Sequence, residues 1–358
     1  MTSKERVLAA LAHREPDRVP INYSANAGID RRLKAHFGLL PDNSEGLLIR
    51  LGVDFRHVDA PYRGPKLHKD IPDRGVKVDN WGIHCRWIEH ETGGYWDYCD
   101  FPLRDADEDV IADWPMPSPD DFDYSGVQAQ CAAVEEYCVA TGGAGLPDII
   151  NSTGMIRSME QVLVDLALDD PAGIRYIDRR ADILYEITAR TLQAAKGKID
   201  LLWMGEDLGT QIGPIMSLEL FRKHIRPRHQ RFIDLAKSFN LPVMFHSCGS
   251  SSWAFEDFIG MGINAVETLQ PEAKAMDPLY LKNTFGDRLA FHGCISTAGP
   301  VAVGTVQDTI AYCRRTLEVM MPGGGYCFAP THSLQDNSPT ENVIAMYETA
   351  REYGLYVR

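Results

Sequence analysis

A histidine and a cysteine two positions apart carry the clearest chemical signal in this chain. They lie in Leu241-Pro-Val-Met-Phe-His-Ser-Cys-Gly249, an apolar run that reads as a strand entering a glycine turn. Positions i and i+2 of a strand face the same side, so extended geometry would place His246 and Cys248 together at the carboxyl end. An imidazole and a thiolate on one face suit zinc. Taken alone, the pair is also what a buried thiol beside a hydrogen-bonded histidine looks like.

Other residues extend the pattern. Cys327 sits in Pro322-Gly-Gly-Gly-Tyr-Cys-Phe-Ala-Pro330, and Cys294 in Phe291-His-Gly-Cys-Ile295. A catalytic zinc keeps three protein ligands and one open position. His246, Cys248 and Cys327 supply such a set. Cys294 competes for the third place, or closes the site as a fourth ligand. The remaining cysteines read as ordinary. Cys131 and Cys138 are seven apart on a helical pattern, Cys313 lies within a helix, and Cys85 and Cys99 fall in or beside a hairpin.

A second polar cluster is Met204-Gly-Glu-Asp-Leu-Gly-Thr-Gln211. Its adjacent carboxylates, Glu206 and Asp207, suit a zinc ligand, a general base or a cation site. The plainer reading is that one caps a turn and the other is solvated. His332 is a further candidate for catalysis. Asn151, Gln211 and Gln335 are candidates to contact substrate or cofactor. His292, two before Cys294, reads as a packed histidine.

These residues need a scaffold that gathers strand ends. Eight strand-like stretches alternate with helical ones: Val19–Tyr23, Asp54–Asp59, Asp148–Asn151, Leu201–Met204, Pro242–Phe245, Ala265–Leu269, Leu289–His292 and Gly325–Ala329. Helical patterns cover Ser158–Leu168, Ala172–Ala195, Ser217–Phe239, Ser252–Met261, Asp277–Thr284, Val306–Met320 and Thr340–Tyr353. This alternation predicts an α/β fold, a TIM (β/α)8 barrel spanning residues 1–358 as one domain. Barrel enzymes place their chemistry at the carboxyl ends of the strands. Val76–Tyr98 departs from the pattern. It alternates, carries Trp81, Trp87 and Trp96, and contains a Thr-Gly-Gly turn at Thr92. A β-hairpin inserted after the second strand, at about residues 76–98, is expected there. Its tryptophans anchor the hairpin, or else favour an aromatic or quaternary ammonium ligand.

Composition sets the outer limits. A net charge of −14 argues against a nucleic-acid surface. No run approaches the roughly 18 apolar residues of a membrane span. The N-terminus reads as an amphipathic helix with a capping box from Thr2 to Glu5, not as a signal peptide. A cytoplasmic protein is expected, possessing free thiols rather than disulfides.

The motifs together resemble the uroporphyrinogen decarboxylase superfamily, and within it the cobamide-dependent methyltransferase branch. The resemblance runs from Arg6-Val-Leu-Ala-Ala-Leu-Ala-His-Arg-Glu-Pro-Asp-Arg-Val-Pro20, through Gly205–Gln211 and His246-Ser-Cys-Gly249, to Gly323-Gly-Gly-Tyr326 and Pro339-Thr-Glu-Asn342. It implies a TIM barrel, and a His-x-Cys…Cys zinc pattern that falls on His246, Cys248 and Cys327. It also implies methyl transfer between a small substrate or thiol- or folate-type acceptor and a corrinoid carried by a partner protein. A homodimer is compatible with this reading. The true decarboxylase grips its polyacidic substrate with an Arg-Gln-Ala-Gly-Arg signature. The corresponding stretch here, Ile21-Asn-Tyr-Ser-Ala-Asn-Ala-Gly-Ile29, has no arginine, so porphyrinogen decarboxylation is not expected. The rivals are a metal-independent decarboxylase or lyase of a small acid, and a non-catalytic corrinoid- or tetrapyrrole-binding protein.

Overall fold

The computed structural model describes residues 1–90 and 93–356. In chain order its strands are β1 (Phe55–His57), β2 (Val76–Val78), β3 (His84–His90), β4 (Gly93–Tyr98), β5 (Cys138–Pro147), β6 (Leu201–Gly205), β7 (Val243–Ser247), β8 (Ala265–Thr268), β9 (Ala290–Ile295) and β10 (Tyr326–Pro330). Seven of them form one curled, all-parallel sheet in the order β1-β5-β6-β7-β8-β9-β10. β8, β9 and β10 are buried along their whole lengths, as strands covered on both faces must be. Helices separate successive strands from β5 onward. The longest, Pro171–Ala195, starts with proline in its first turn behind an Asp170 cap. The N-terminal helix Ser3–Leu11 carries the expected Thr2/Glu5 capping box. Among the described residues, no helix is long and apolar enough to cross a membrane.

Four expectations need correction. Asp148–Asn151 is not the third strand. That strand is β5, whose glycines Gly142, Gly143 and Gly145 disguise it, and Asp148 is already the cap of helix Ile149–Arg157. Cys131 and Cys138 therefore share no helix: the first is on helix Val127–Ala133, and the second opens β5. The expected two-stranded hairpin is a separate three-stranded antiparallel sheet, β2-β3-β4, in which Trp87 pairs with Trp96. Thr92 of its turn lies outside the described residues.

The expected first strand, Val19–Tyr23, is reduced to a bridge at the seam between β10 and β1. On one side the Phe328 amide donates to the Pro20 carbonyl at 2.8 Å, and the Asn22 amide to the Phe328 carbonyl at 2.9 Å. On the other, the Asp54 amide donates to the Ile21 carbonyl at 2.8 Å. The Ile21 amide then finds the Asp54 side chain at 2.8 Å instead of a backbone carbonyl, so the ladder stops. The same buried carboxylate accepts from Arg6 Nη1 at 2.7 Å, from Arg18 Nη1 and Nη2 at 2.7 and 2.9 Å, and from Ser3 Oγ at 2.7 Å. Removing one partner of such a buried network leaves unpaired charge and costs about 3–5 kcal/mol. Asp54→Ala should lower the urea midpoint accordingly, whereas a change below about 1 kcal/mol would show that the seam does not depend on this carboxylate.

Candidate metal centre

The carboxyl ends of β6 and β7 bring three ligand types together. Asp207, His246 and Cys248 each offer one atom, and these atoms lie within 4.8 Å of one another. His246 Nε2 is 3.4 Å from Cys248 Sγ and 3.4 Å from an Asp207 carboxylate oxygen. The imidazole and the thiol thus lie on one side at the end of β7, as their spacing predicts.

Neighbouring groups fix each ligand. The other ring nitrogen of His246, Nδ1, is held by the Glu267 carboxylate, with Thr268 Oγ1 at 3.0 Å. A carboxylate behind a histidine orients the ring and leaves Nε2 for a metal. Asp207 accepts the Cys248 amide at 2.7 Å on one oxygen and the Asn151 side-chain amide at 2.8 Å on the other. The two ligand-bearing loops touch through glycines. Gly249 has φ +68°, and a Cβ there would meet the Gly209 carbonyl. A Cβ on Gly209 would meet the backbone of Ser250. The Ser250 amide donates to the Thr210 carbonyl at 2.8 Å, tying the loops together.

Charge in this cluster is displaced from ordinary values. Burial disfavours the His246 imidazolium, but the Glu267 and Asp207 carboxylates overcome it and hold the ring well above a normal histidine. Glu267 is driven down against burial by His246, with His292 adding to the effect. Asp207 falls to about 2, its burial outweighed by His246 and the Cys248 amide. Burial pushes the Cys248 thiol up, partly offset by His246. Nearby, burial raises Asp148 to about 6 against the pull of Arg180.

Beside this cluster lies a cavity of about 270 Å³. Its lining includes His246, Glu267 and His292, with His57, Trp203 and His332. His292, read from sequence as packed, is buried and receives the Asn22 side-chain amide at 3.0 Å.

The other expected site residues fall in different places. Glu206 is fully buried and accepts the Ile149 and Ile150 amides at 2.8 Å each, so it holds a helix N-terminus rather than joining the three ligands. Burial and the Asp148 carboxylate push it up, against the two amides. Asn151 is in the first turn of a helix, where it orients Asp207. His332 lines the cavity, with Gln335 3.5 Å away; Gln335 itself donates to the Ser333 carbonyl and receives Asn26. Gln211 is exposed and reaches Gln270 at 3.4 Å.

Neither remaining cysteine joins the cluster. Cys327 is in register with His292 across β10 and β9, yet its sulfur is not among the ligand atoms that converge. It is buried in the core, which raises its thiol. Cys294 follows Gly293, and both have positive φ. Strict alternation fails there, and Cys294 lies buried beside Tyr326. Sequence reading missed Glu267, a carboxylate at the end of an otherwise apolar strand. It also missed His57 and Asp59 at the end of β1. In both cases the signal was present: a charged residue at the carboxyl end of a buried strand.

A curled parallel sheet with helices outside and mixed sulfur, nitrogen and oxygen donors at its carboxyl edge defines a class: barrel-type α/β proteins with a metal-competent mouth. The family follows from comparison. The family model for uroporphyrinogen decarboxylase (URO-D) matches residues 174–353, half of the chain. The chain belongs to that family, whose domains are TIM barrels. A solved structure, a methyltransferase from Methanosarcina mazei, is similar over 99% of both chains, with a TM-score of 0.63 and 18% sequence identity. That likeness is one of fold. Among curated proteins there is no match.

Two measurements probe this geometry. A zinc ion bound here would have to displace protons from both His246 and Cys248 at neutral pH, since both are held up. Apparent zinc affinity should therefore rise roughly 100-fold per pH unit, about tenfold for each proton released. A competition titration against a chelator reads this slope; a pH-independent affinity would contradict it. Gly249→Ala should cost about 1–3 kcal/mol from its left-handed backbone alone. Chemical denaturation checks that, and zinc affinity should fall with it because the loops separate.

Proposed function

We propose that this chain is a zinc-dependent methyltransferase. It would move a methyl group between a small substrate, or a thiol- or folate-type acceptor, and a corrinoid held by a partner protein. The observation that carries the reading is the convergence of Asp207, His246 and Cys248 beside a cavity that His246 also lines. The donor set fits zinc: one thiolate, one imidazole and one carboxylate, with room for a fourth ligand from substrate. The fold likeness to a methyltransferase supports the same direction. We take Asp207 as the third ligand in place of Cys327, whose sulfur is not among the converging ligand atoms.

Bound at these residues, zinc would supply a Lewis acid that keeps a substrate thiol as thiolate or polarises a leaving atom. The chain's own groups do the rest. Glu267 fixes the His246 ring and Asn151 fixes Asp207. Trp203, Ala329 and Pro330 give the cavity apolar surface, while Asn22, Ser24 and Ser333 supply polar contacts. Among the described residues, no lysine or arginine lines the cavity, and Arg32 is spent on the carbonyls of Asp336 and Ser338. A polycarboxylate such as a porphyrinogen would find no cationic partner. The small sheet β2-β3-β4 is taken as an insertion into a closed (β/α)8 barrel.

The purified protein should carry one zinc per chain. Cys248→Ser and His246→Ala should lose it, Cys327→Ser should keep it, and Glu267→Gln should weaken it by about 10–100-fold. Zinc-loaded protein should also methylate 2-mercaptoethanol from methylcobalamin, followed by the cobalt spectrum. Full zinc occupancy in Cys248→Ser, or no transfer by the wild type, overturns the reading and favours the metal-free decarboxylase or lyase.

A further inference from the structure

The cavity holds a second polar device, on the strand that the sequence motifs left unused. β1 ends at His57, and Asp59 follows two residues later. His57 Nε2 is 2.6 Å from Asp59 Oδ2. The other Asp59 oxygen is pinned by Thr141 Oγ1 at 2.5 Å and by the Gly142 amide at 3.1 Å, both from β5. The carboxylate is therefore fixed by a neighbouring strand, and it fixes the imidazole. Among the described residues, nothing hydrogen-bonds His57 Nδ1. His57 lines the same cavity as His246, while Asp59 lines a neighbouring cavity of about 280 Å³ across the glycine-rich end of β5. The side chains are 43% and 48% exposed, so the pair reaches water as well as the cavity.

We propose that His57, oriented by Asp59, is the proton carrier of this cavity, and that the substrate is a small uncharged molecule bearing an ionisable S–H or O–H. This deepens the methyltransferase reading and rests on it. The substrate class follows from the lining, which among the described residues offers histidines, hydroxyls and an amide but no lysine or arginine. The other titratable groups of the lining are Tyr23, His246, Glu267, His292 and His332. Glu267 is committed to His246 and faces His292 at 3.7 Å. Among the described residues His57 has no cavity-side partner, so its ring can exchange a proton with a ligand.

The step balances as follows for a thiol acceptor. The S–H bond breaks, its proton passes to His57 Nδ1, and its electron pair stays on sulfur. Sulfur forms the new bond to the methyl carbon as the bond from that carbon to its donor breaks. The second electron pair leaves on the donor, the cobalt of a methyl-corrinoid. His57 returns the proton to water. In the reverse direction it protonates the departing sulfur or oxygen. Burial disfavours the His57 imidazolium, and Asp59 more than restores it, placing the ring above an ordinary histidine. The base form is needed to accept a proton, so the forward rate rises with pH through the His57 titration.

Two readouts test this. The first uses NMR titration of the apo protein and needs no activity: His57 should titrate above about 6.5 and shift downward in Asp59→Asn. The second uses zinc-loaded enzyme with methylcobalamin and 2-mercaptoethanol across the histidine range. His57→Gln should lower kcat by about 10²–10⁴-fold with KM little changed, lose the acidic limb, and retain full zinc. Asp59→Asn should keep the limb but move it to lower pH. An unchanged kcat and limb in His57→Gln overturns the proposal, as does a His57 titration unmoved by Asp59→Asn. If the wild type binds zinc yet transfers no methyl group, the functional reading fails instead. The NMR titration, repeated with 2-mercaptoethanol, then decides the dyad: His57 signals that ignore the thiol overturn it.

Discussion

The buried Asp54 carboxylate at the sheet's seam is the constraint on which the rest of the molecule leans. A parallel sheet gathers its strand ends around one mouth only when it curls far enough to meet itself. Here the last gap, between β10 and β1, is spanned by three residues rather than by a strand. Asp54 takes over where the backbone ladder stops, binding the Ile21 amide and two guanidinium groups. The site inherits that closure. Asn22, next to the seam, holds His292, and His292 faces the Glu267 that orients His246. A run of polar contacts thus leads from the clasp to the proposed ligand.

The mouth concentrates backbone conformations that ordinary side chains avoid. Asp148, Thr268, Leu269 and Cys294 all have positive φ, as do Gly142, Gly143, Gly249 and Gly293. Such positions persist where surrounding contacts over-determine them, and they cluster at functional sites. Thr268 shows the use of this strain, since its hydroxyl reaches the same nitrogen that Glu267 holds. The glycine contact between the β6 and β7 loops does the same at backbone level, setting Asp207 against Cys248.

Much of this was legible in the sequence. The period-two rule put His246 and Cys248 on one face, and apolar runs located β6 through β10. What stayed hidden was side and distance. Glu206 and Asp207 are adjacent, so they leave β6 in opposite directions; which one enters the mouth depends on strand register. Cys327 is in register with His292, yet its sulfur stays outside the cluster, a separation that no motif records. β5 escaped because its glycines resemble a loop, although they let the strand end approach β6 closely. Glu267, His57 and Asp59 were readable as charges at the ends of buried strands, yet their partners lie on other strands and become visible only in three dimensions.

The seam also bears on the order in which the molecule can come into being. Asn22 and His292 are 270 positions apart, and Tyr347 reaches back across 325 to the Asn22 carbonyl. A ribosome delivers the proposed zinc ligands well before it delivers β10, the strand that Pro20–Asn22 must clasp. Until that strand has emerged, the cavity lacks the wall formed by Ala329, Pro330 and His332. The mouth is therefore among the last parts of the nascent chain to take shape, although its most conspicuous residues lie near the middle of the sequence.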